Sequence, residues 1–315
     1  MAECDLLIVG ANGFLGARTV AAAVAAGRAV ATFGPPSPGR DLLAPWRDRI
    51  REISGSMTEA ADVMAALSGS RPRAVLCFAA HGEGRGGLMR AGEDAPDRAF
   101  AMNVAGFRTL LATCAAAGVP RVLWASSTTV FGPADAYGPV PVDETAPCAP
   151  RSIYGLTKQL AETVAQFYRQ RTGMEICAVR PPLVFGPGRW YGGAAERLDI
   201  LLGAAARRER LALRVPEERF DLMHGDDVAA AFLHLAAHRG ALAPCYHVNG
   251  FVTSYRGIAA VLMQECPGFH PVLEFVPSEI VYPLISAGRV AHETGFQPRL
   301  NLRAALLATL QENPP

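Results

Sequence analysis

The chain has 315 residues, half of them hydrophobic, and carries 30 lysines and arginines against 29 aspartates and glutamates. A formal charge of +1 gives no electrostatic reason to expect nucleic acid or an anionic membrane as partner. The length admits one large domain or two intimate ones. The first half alternates short apolar runs with helical patterns. Asp5–Val9 predicts a strand, a glycine loop follows, and Phe14–Ala26 predicts a helix. Ala29–Phe33 predicts a second strand, and 34–40 a Gly/Pro loop. Arg51–Ser54, Thr58–Leu67 and Ala74–Ala79 predict strand, helix and strand. Residues 81–95 are rich in glycine and charge and predict a loop. Ala95–Ala117 predicts a long helix closed by Gly118 and Pro120. Arg121–Ala125, Ser152–Arg171 and Glu175–Val179 predict a strand, a helix and a strand.

The second half is less regular. Pro181-Pro182 and Gly186-Pro187-Gly188 break the pattern, and Trp190–Ala195 is loop-like. Helices are predicted at Glu196–Arg208, Asp226–Ala237, Ser254–Glu265 and Leu302–Leu310, with a short strand at Cys245–Val248. Alternation of this kind implies an α/β fold, a Rossmann-type doubly wound parallel sheet with a smaller C-terminal substrate-binding lobe. The dinucleotide-binding part is expected over 1–180, with 220–250 returning to it. The lobe is expected to comprise 181–219 and 251–315.

Seven cysteines are scattered without a Cys-x-x-Cys, which points to a reducing, cytoplasmic setting with neither a disulfide frame nor a metal site. The N-terminus enters a strand almost at once, unlike a signal peptide. No uncharged apolar stretch reads as long enough to span a bilayer.

Gly10, Gly13 and Gly16 fall at the turn from the first strand into the first helix. Glycines there let the backbone approach a pyrophosphate, whose charge the free N–H groups and helix dipole stabilise. The tip of the second strand is where an acid would receive the adenosine ribose and select NAD. Gly34 stands there, and no carboxylate follows until Asp41. Arg40, Ser37 and Arg18 are candidates for a 2′-phosphate, so the cofactor reads as NADP ahead of NAD.

Tyr154 and Lys158 are four residues apart in Ser152-Ile-Tyr-Gly-Leu-Thr-Lys158. On a helix they share a face, so the ammonium can approach the phenol and lower its pKa from about 10. A tyrosine so tuned can exchange protons at neutral pH.

With these motifs in order, the chain resembles the extended short-chain dehydrogenase/reductase family of nucleotide-sugar epimerases and dehydratases. The resemblance runs through Gly10-Ala-Asn-Gly-Phe-Leu-Gly16, Asn103-Val-Ala-Gly106, Ala125-Ser-Ser-Thr-Thr-Val-Phe-Gly132 and Tyr154 to Lys158. It continues in Arg180-Pro-Pro-Leu-Val-Phe-Gly-Pro-Gly188 and His224-Gly-Asp-Asp-Val-Ala229. It implies Ser127 as the hydroxyl on the reacting oxygen, with Thr128 and Ser126 as nearby alternatives. It implies Tyr154 as general acid/base and Lys158 as the group that holds the nicotinamide ribose. Asn12, Phe14 and Leu15 join the glycines at the cofactor, as do Ala79, Ala80, Asn103, Arg180 and Pro181. His81, Ser127, Thr128, Tyr154, Arg189 and Trp190 are the expected substrate contacts, and His224 is expected to be structural. The two long helices imply a homodimer.

The match departs from the family at several positions, and a later family arginine, usually in an Arg-Pro-Gly-Asp-like stretch, has no equivalent in Cys266-Pro-Gly-Phe-His270 or Phe275-Val-Pro-Ser278. Thr128-Thr129 stand where a dehydratase carries an Asp-Glu pair, which disfavours elimination of water. Phe220 stands where nucleotide-sugar enzymes often carry a diphosphate-gripping arginine. Arg219 is one residue away, and a one-residue shift along a strand points to the opposite face. The expected activity is hydride transfer at a carbinol or ketone of a sugar-like substrate, first a nucleotide sugar. The alternative is a dehydrogenase or reductase of a smaller, non-nucleotide alcohol. A dinucleotide sensor without activity ranks last, since it has no use for Ser127, Tyr154 and Lys158.

Overall fold

The first strand, β1 (Leu6–Val9), is buried on both faces because helices cover both sides of its sheet. Leu6 and Ile8 face one hydrophobic cluster, and Leu7 and Val9 face the other. Each such side chain contributes about 1.5–3 kcal/mol by leaving water. A computed structural model describes residues 3–36, 41–82 and 86–312 of the chain.

After β1 come α1 (Phe14–Ala25), β2 (Val30–Gly34), β3 (Ile50–Ser54), α2 (Ala60–Ser70) and β4 (Ala74–Cys77). Next are α3 (Gly87–Asp94), α4 (Pro96–Phe100), α5 (Phe107–Ala116), β5 (Arg121–Ala125), α6 (Ile153–Thr172) and β6 (Glu175–Arg180). Then follow β7 (Leu183–Phe185), α7 (Glu196–Ala206), β8 (Arg210–Pro216), β9 (Phe220–His224), α8 (Gly225–Ala237) and β10 (Cys245–His247). The chain closes with β11 (Phe251–Thr253), α9 (Tyr255–Glu265), β12 (His270–Val276), α10 (Gly288–Thr294) and α11 (Leu302–Glu312). Seven parallel strands form one sheet in the order β10-β6-β5-β4-β1-β2-β3. α1 packs on α8 over one face, while α2, α5 and α6 cover the other. The doubly wound fold predicted from the sequence is the fold of the protein.

The smaller lobe holds a three-stranded sheet, β11-β9-β7, and a parallel pair, β12-β8. Its own core lies between α7, α9 and α11. β9 pairs within the small sheet, and α8 directly after it packs on α1 against the large one.

Two of the predicted segments differ in the structure. The predicted loop 81–95 contains α3. This helix is held from outside: Glu93 accepts the Ile153 amide at 2.7 Å, and Gly92 packs against the start of α6. The predicted long helix is continuous from 96 to 116 but passes through a π-turn at Ala101–Gly106. Such turns insert a residue and re-aim side chains; here Asn103 lies within it. Pro96–Ala116 is long and apolar enough to cross a membrane by length and composition alone, with mean hydropathy 1.3, although Asp97, Arg98 and Arg108 lie within it. In the fold it packs on α2 and α6 through Phe107, Leu110, Leu111 and Cys114.

Candidate active site

One cavity of about 910 Å³ runs from the glycine loop to the substrate lobe. Its floor is the carboxyl end of the large sheet. Gly10, with φ +76°, turns the chain out of β1, and a Cβ there would stand 2.7 Å from the Ala79 amide nitrogen. Gly13 is the N-cap of α1 and offers no side chain, so the first amides of the helix are left for another acceptor. Gly10, Asn12, Gly13, Phe14, Leu15 and Gly16 all line this end. Asn12 Oδ1 also accepts the Leu42 amide at 2.9 Å, which fastens the chain after β2 over the loop. The uncapped amides and the crowded glycine turn fit the pyrophosphate of a dinucleotide.

At the far side of this end, Arg47 donates to Asp41 at 2.6 Å and to Glu52 at 2.8 Å, and all three line the cavity. Ser37 and Arg40 lie outside the described residues. Arg18 is committed elsewhere: it donates to Asp226 at 2.6 Å and to Glu312 at 2.6 Å, so it is no phosphate ligand.

The other end gathers Ser127, Thr128, Tyr154 and Lys158. Ser152 caps α6 by accepting the Gly155 amide at 3.1 Å, which sets the helix start two residues before Tyr154. Gly155 lets α6 approach the strand end closely, since a Cβ there would press into the Thr129 carbonyl. Ser127 accepts from the Thr129 amide at 3.1 Å and the Thr129 hydroxyl at 2.9 Å, and its hydroxyl lies close enough to the Tyr154 phenol to limit the rise in its pKa. Burial pushes the Tyr154 phenol well above its ordinary range, and the nearby Tyr191 adds to this. Lys158 Nζ donates to the Ala125 carbonyl at 2.6 Å and stands 5.5 Å from the Tyr154 ring centre. Burial brings Lys158 down to about 8. The expected lowering of Tyr154 by the lysine does not occur: burial raises the phenol, and Lys158 is not among the groups that act on it.

Of the remaining predicted residues, Ala79, Ala80, Pro181, Arg189 and Trp190 line the cavity, whereas His81, Asn103 and Arg180 do not. His81 is buried behind the wall, and its amide is held by Asn103 Oδ1 at 2.7 Å. Asn103 also donates to Thr157 at 2.9 Å, so it joins β4 to α6 and does not touch cofactor space. Arg180 turns away into a bidentate pair with Glu162, because a buried guanidinium needs a counter-charge. His224 caps α8 by accepting the Asp226 amide at 3.2 Å. Arg189 is buried, held by Gly192 and Asp199, and stacks 5.0 Å from the Tyr191 ring centre. Sequence reasoning missed Leu88 and Met89 of α3, Tyr255 and Tyr282 as cavity residues, and Glu162 behind it. Only Glu162 had a signal, its i+4 spacing from Lys158.

Residues 6–249 match the model of the NAD dependent epimerase/dehydratase family. The chain belongs to that family. It is 26% identical over 316 residues to the UDP-glucose 4-epimerase of Mycolicibacterium smegmatis, covering 97% of each chain. It is 28% identical over 218 residues to the UDP-glucose 4-epimerase of Rhizobium meliloti, covering 66% of this chain and 62% of that protein. It is 32% identical over 256 residues to a 3 beta-hydroxysteroid dehydrogenase/Delta 5→4-isomerase of Mycobacterium tuberculosis, covering 78% of this chain and 64% of that one. The UDP-glucose 4-epimerase of Thermotoga maritima, solved with UDP-glucose, superposes with a TM-score of 0.83 at 20% identity, covering 98% of this chain and 97% of that one. At that identity the superposition speaks for the fold. The protein is thus an enzyme of the extended short-chain dehydrogenase/reductase family.

Proposed function

We propose that this enzyme oxidises or reduces a carbinol carbon of a sugar-like substrate, first a nucleotide sugar handled as an epimerase or ketoreductase handles it. The observation that carries the reading is the Ser127, Tyr154 and Lys158 cluster facing the same cavity as the glycine loop. A bound nicotinamide dinucleotide would supply the hydride chemistry. Ser127 hydrogen-bonds the reacting oxygen and stabilises charge on it. Tyr154, kept neutral by burial, gives its proton to that oxygen in reduction and is left as phenolate; oxidation is the reverse and starts from that phenolate, which takes the alcohol's proton. Lys158 would hold the ribose of a bound dinucleotide. Thr128 and Thr129 offer no carboxylate for dehydration. The charges at the adenosine end, two carboxylates around Arg47, support NAD over the NADP that Gly34 suggested.

A specific observation favours the second reading, a smaller non-nucleotide alcohol. Phe220 lies in the cavity wall 5.4 Å from the Tyr255 ring, while Arg219 beside it is exposed at the edge of the same cavity. Those rings offer a diphosphate no charge. We further propose pairing of two copies through α5 and α6, supported by Phe167, 54% exposed on α6.

The test is the nucleotide released on denaturing freshly purified protein, identified by mass, followed by a panel of nucleotide sugars and simple secondary alcohols. Near-stoichiometric NAD(H) with interconversion of a nucleotide sugar supports the first reading. Empty protein that turns over only simple alcohols supports the second. Protein that neither holds nor binds a dinucleotide refutes both.

A further inference from the structure

Behind the cavity wall lies a buried ion pair that the proposed chemistry does not use. Glu162 sits one turn past Lys158 on the same face of α6. Its Oε1 accepts the Ser126 hydroxyl at 2.5 Å and Arg180 Nε at 2.7 Å, and its Oε2 accepts Arg180 Nη2 at 2.5 Å. The Arg180 side chain is 4% exposed and that of Glu162 16%. The guanidinium is completed by His247 Nε2 at 3.2 Å and the Phe131 ring at 5.2 Å. Glu162 thus fastens α6 to the ends of β5 and β6. These elements carry Tyr154 and Lys158, lead into Ser127, and lead into Pro181.

Lys158 is 4% exposed, and few groups face it. Tyr154 and Glu162 come from its own helix, Cys77 from β4, and the Trp124 ring, at 5.5 Å, from β5. The π-turn contributes Asn103, which is uncharged. The Cys77 thiol, buried, is pushed up to about 11 and stays neutral where Lys158 titrates. Glu162 is therefore the carboxylate among the described residues whose charge acts on the amine. A buried amine without a counter-charge favours its neutral form.

We propose that Glu162 is a positioning residue: clamped by Arg180 and Ser126, it supplies the counter-charge that keeps Lys158 an ammonium and holds it in place for the cofactor. The second half of this inference rests on the reading of Lys158 as the ribose ligand.

Lys158 is the only lysine in the chain. Protein labelled with 13C at the lysine ε-carbon therefore gives one lysine resonance, and its pH titration reads this residue alone. The wild type should titrate near about 8. Glu162→Gln should titrate lower by about one pH unit, because the amine loses its counter-charge. Arg180→Gln should titrate higher, because Glu162 then acts unneutralised. A purely structural role predicts otherwise: a loosened pocket admits water and sends both variants up towards about 10.4. An upward or absent shift in Glu162→Gln overturns the proposal. Should a single variant fail to fold, the double variant E162Q/R180Q leaves no unpaired buried charge. It must still titrate below wild type, since Glu162 acts on Lys158 and Arg180 is not among the groups that do, and a titration at or above wild type overturns the proposal. NAD+ affinity in the same proteins should fall at the midpoint each titration gives. A shifted titration in protein that binds neither NAD+ nor NADP+ sinks the cofactor reading but supports the Glu162–Lys158 coupling. Cofactor binding with an unshifted titration sinks the coupling alone.

Discussion

Asn103 and His81 are joined where a side-chain carbonyl accepts a backbone amide at 2.7 Å, deep in the protein. The same side chain donates to Thr157 at 2.9 Å. The chain leaving β4 and the helix carrying Tyr154 are thus held through one residue of the π-turn. Asn103→Ala leaves the buried His81 amide without its acceptor. The expected loss is about 1–3 kcal/mol of stability, read from the urea midpoint, together with weaker dinucleotide binding. A loss under about 0.5 kcal/mol, the scale of an ordinary surface change, would count against the link.

Tyr154→Phe keeps the ring and removes the proton donor. With whichever substrate the panel identifies, turnover should drop about 10²–10⁴-fold. The dissociation constant for NAD+ should stay near wild type. Undiminished turnover would move the acid/base role to another group.

Burial pushes the Asp221 carboxyl up to about 6, above the ~3.9 of an unfolded chain. The Ile285 amide, at 2.8 Å, and Asn249 donate to it and limit the rise. Between the two values the folded protein holds a proton that the unfolded chain has lost. Stability therefore falls as pH rises from about 4 to about 6, by on the order of 3 kcal/mol from this group, and the penalty persists above. Asp221→Asn should remove that slope in urea titrations taken across the window. Equal slopes in variant and wild type would show that Asp221 is not its source.

Phe220→Arg replaces an aromatic ring in the cavity wall with a charged fork suited to phosphate. If the native wall does not grip a diphosphate, wild type should bind UDP weakly by calorimetry. The variant should then bind it at least about tenfold tighter, a gain of roughly 1.4 kcal/mol. Tight UDP binding by wild type would return the choice to a nucleotide sugar.

The elements legible in the sequence are those whose local pattern and tertiary environment agree. β1, β5 and α6 fall within a residue or two of prediction because apolar runs, caps and glycines mark their ends. α3 was hidden because Gly86, Gly87 and Gly92 interrupt a short run of good helix formers, Leu88 to Ala91, and Gly92 and Glu93 are held by the start of α6. β8 lay outside the predicted elements although Leu211, Leu213 and Val215 alternate, and its partner β12 is far along the chain. Among site residues, those on contiguous motifs were readable. Arg180 and Asn103 were placed at the cofactor and His81 at the substrate on motif membership, and the structure sets all three behind the wall.

By itself the sequence determined the doubly wound sheet, the glycine turn and the Tyr154–Lys158 spacing. Each follows from interactions within a few residues: periodicity, backbone freedom and helical pitch. Only the tertiary structure decided which charges meet. Glu162 found Arg180, Arg18 found Asp226, and Arg47 settled between Asp41 and Glu52. It also decided that burial, and not the neighbouring lysine, governs Tyr154. Desolvation and Coulomb energy depend on distance and on access to water, which spacing along a chain does not encode.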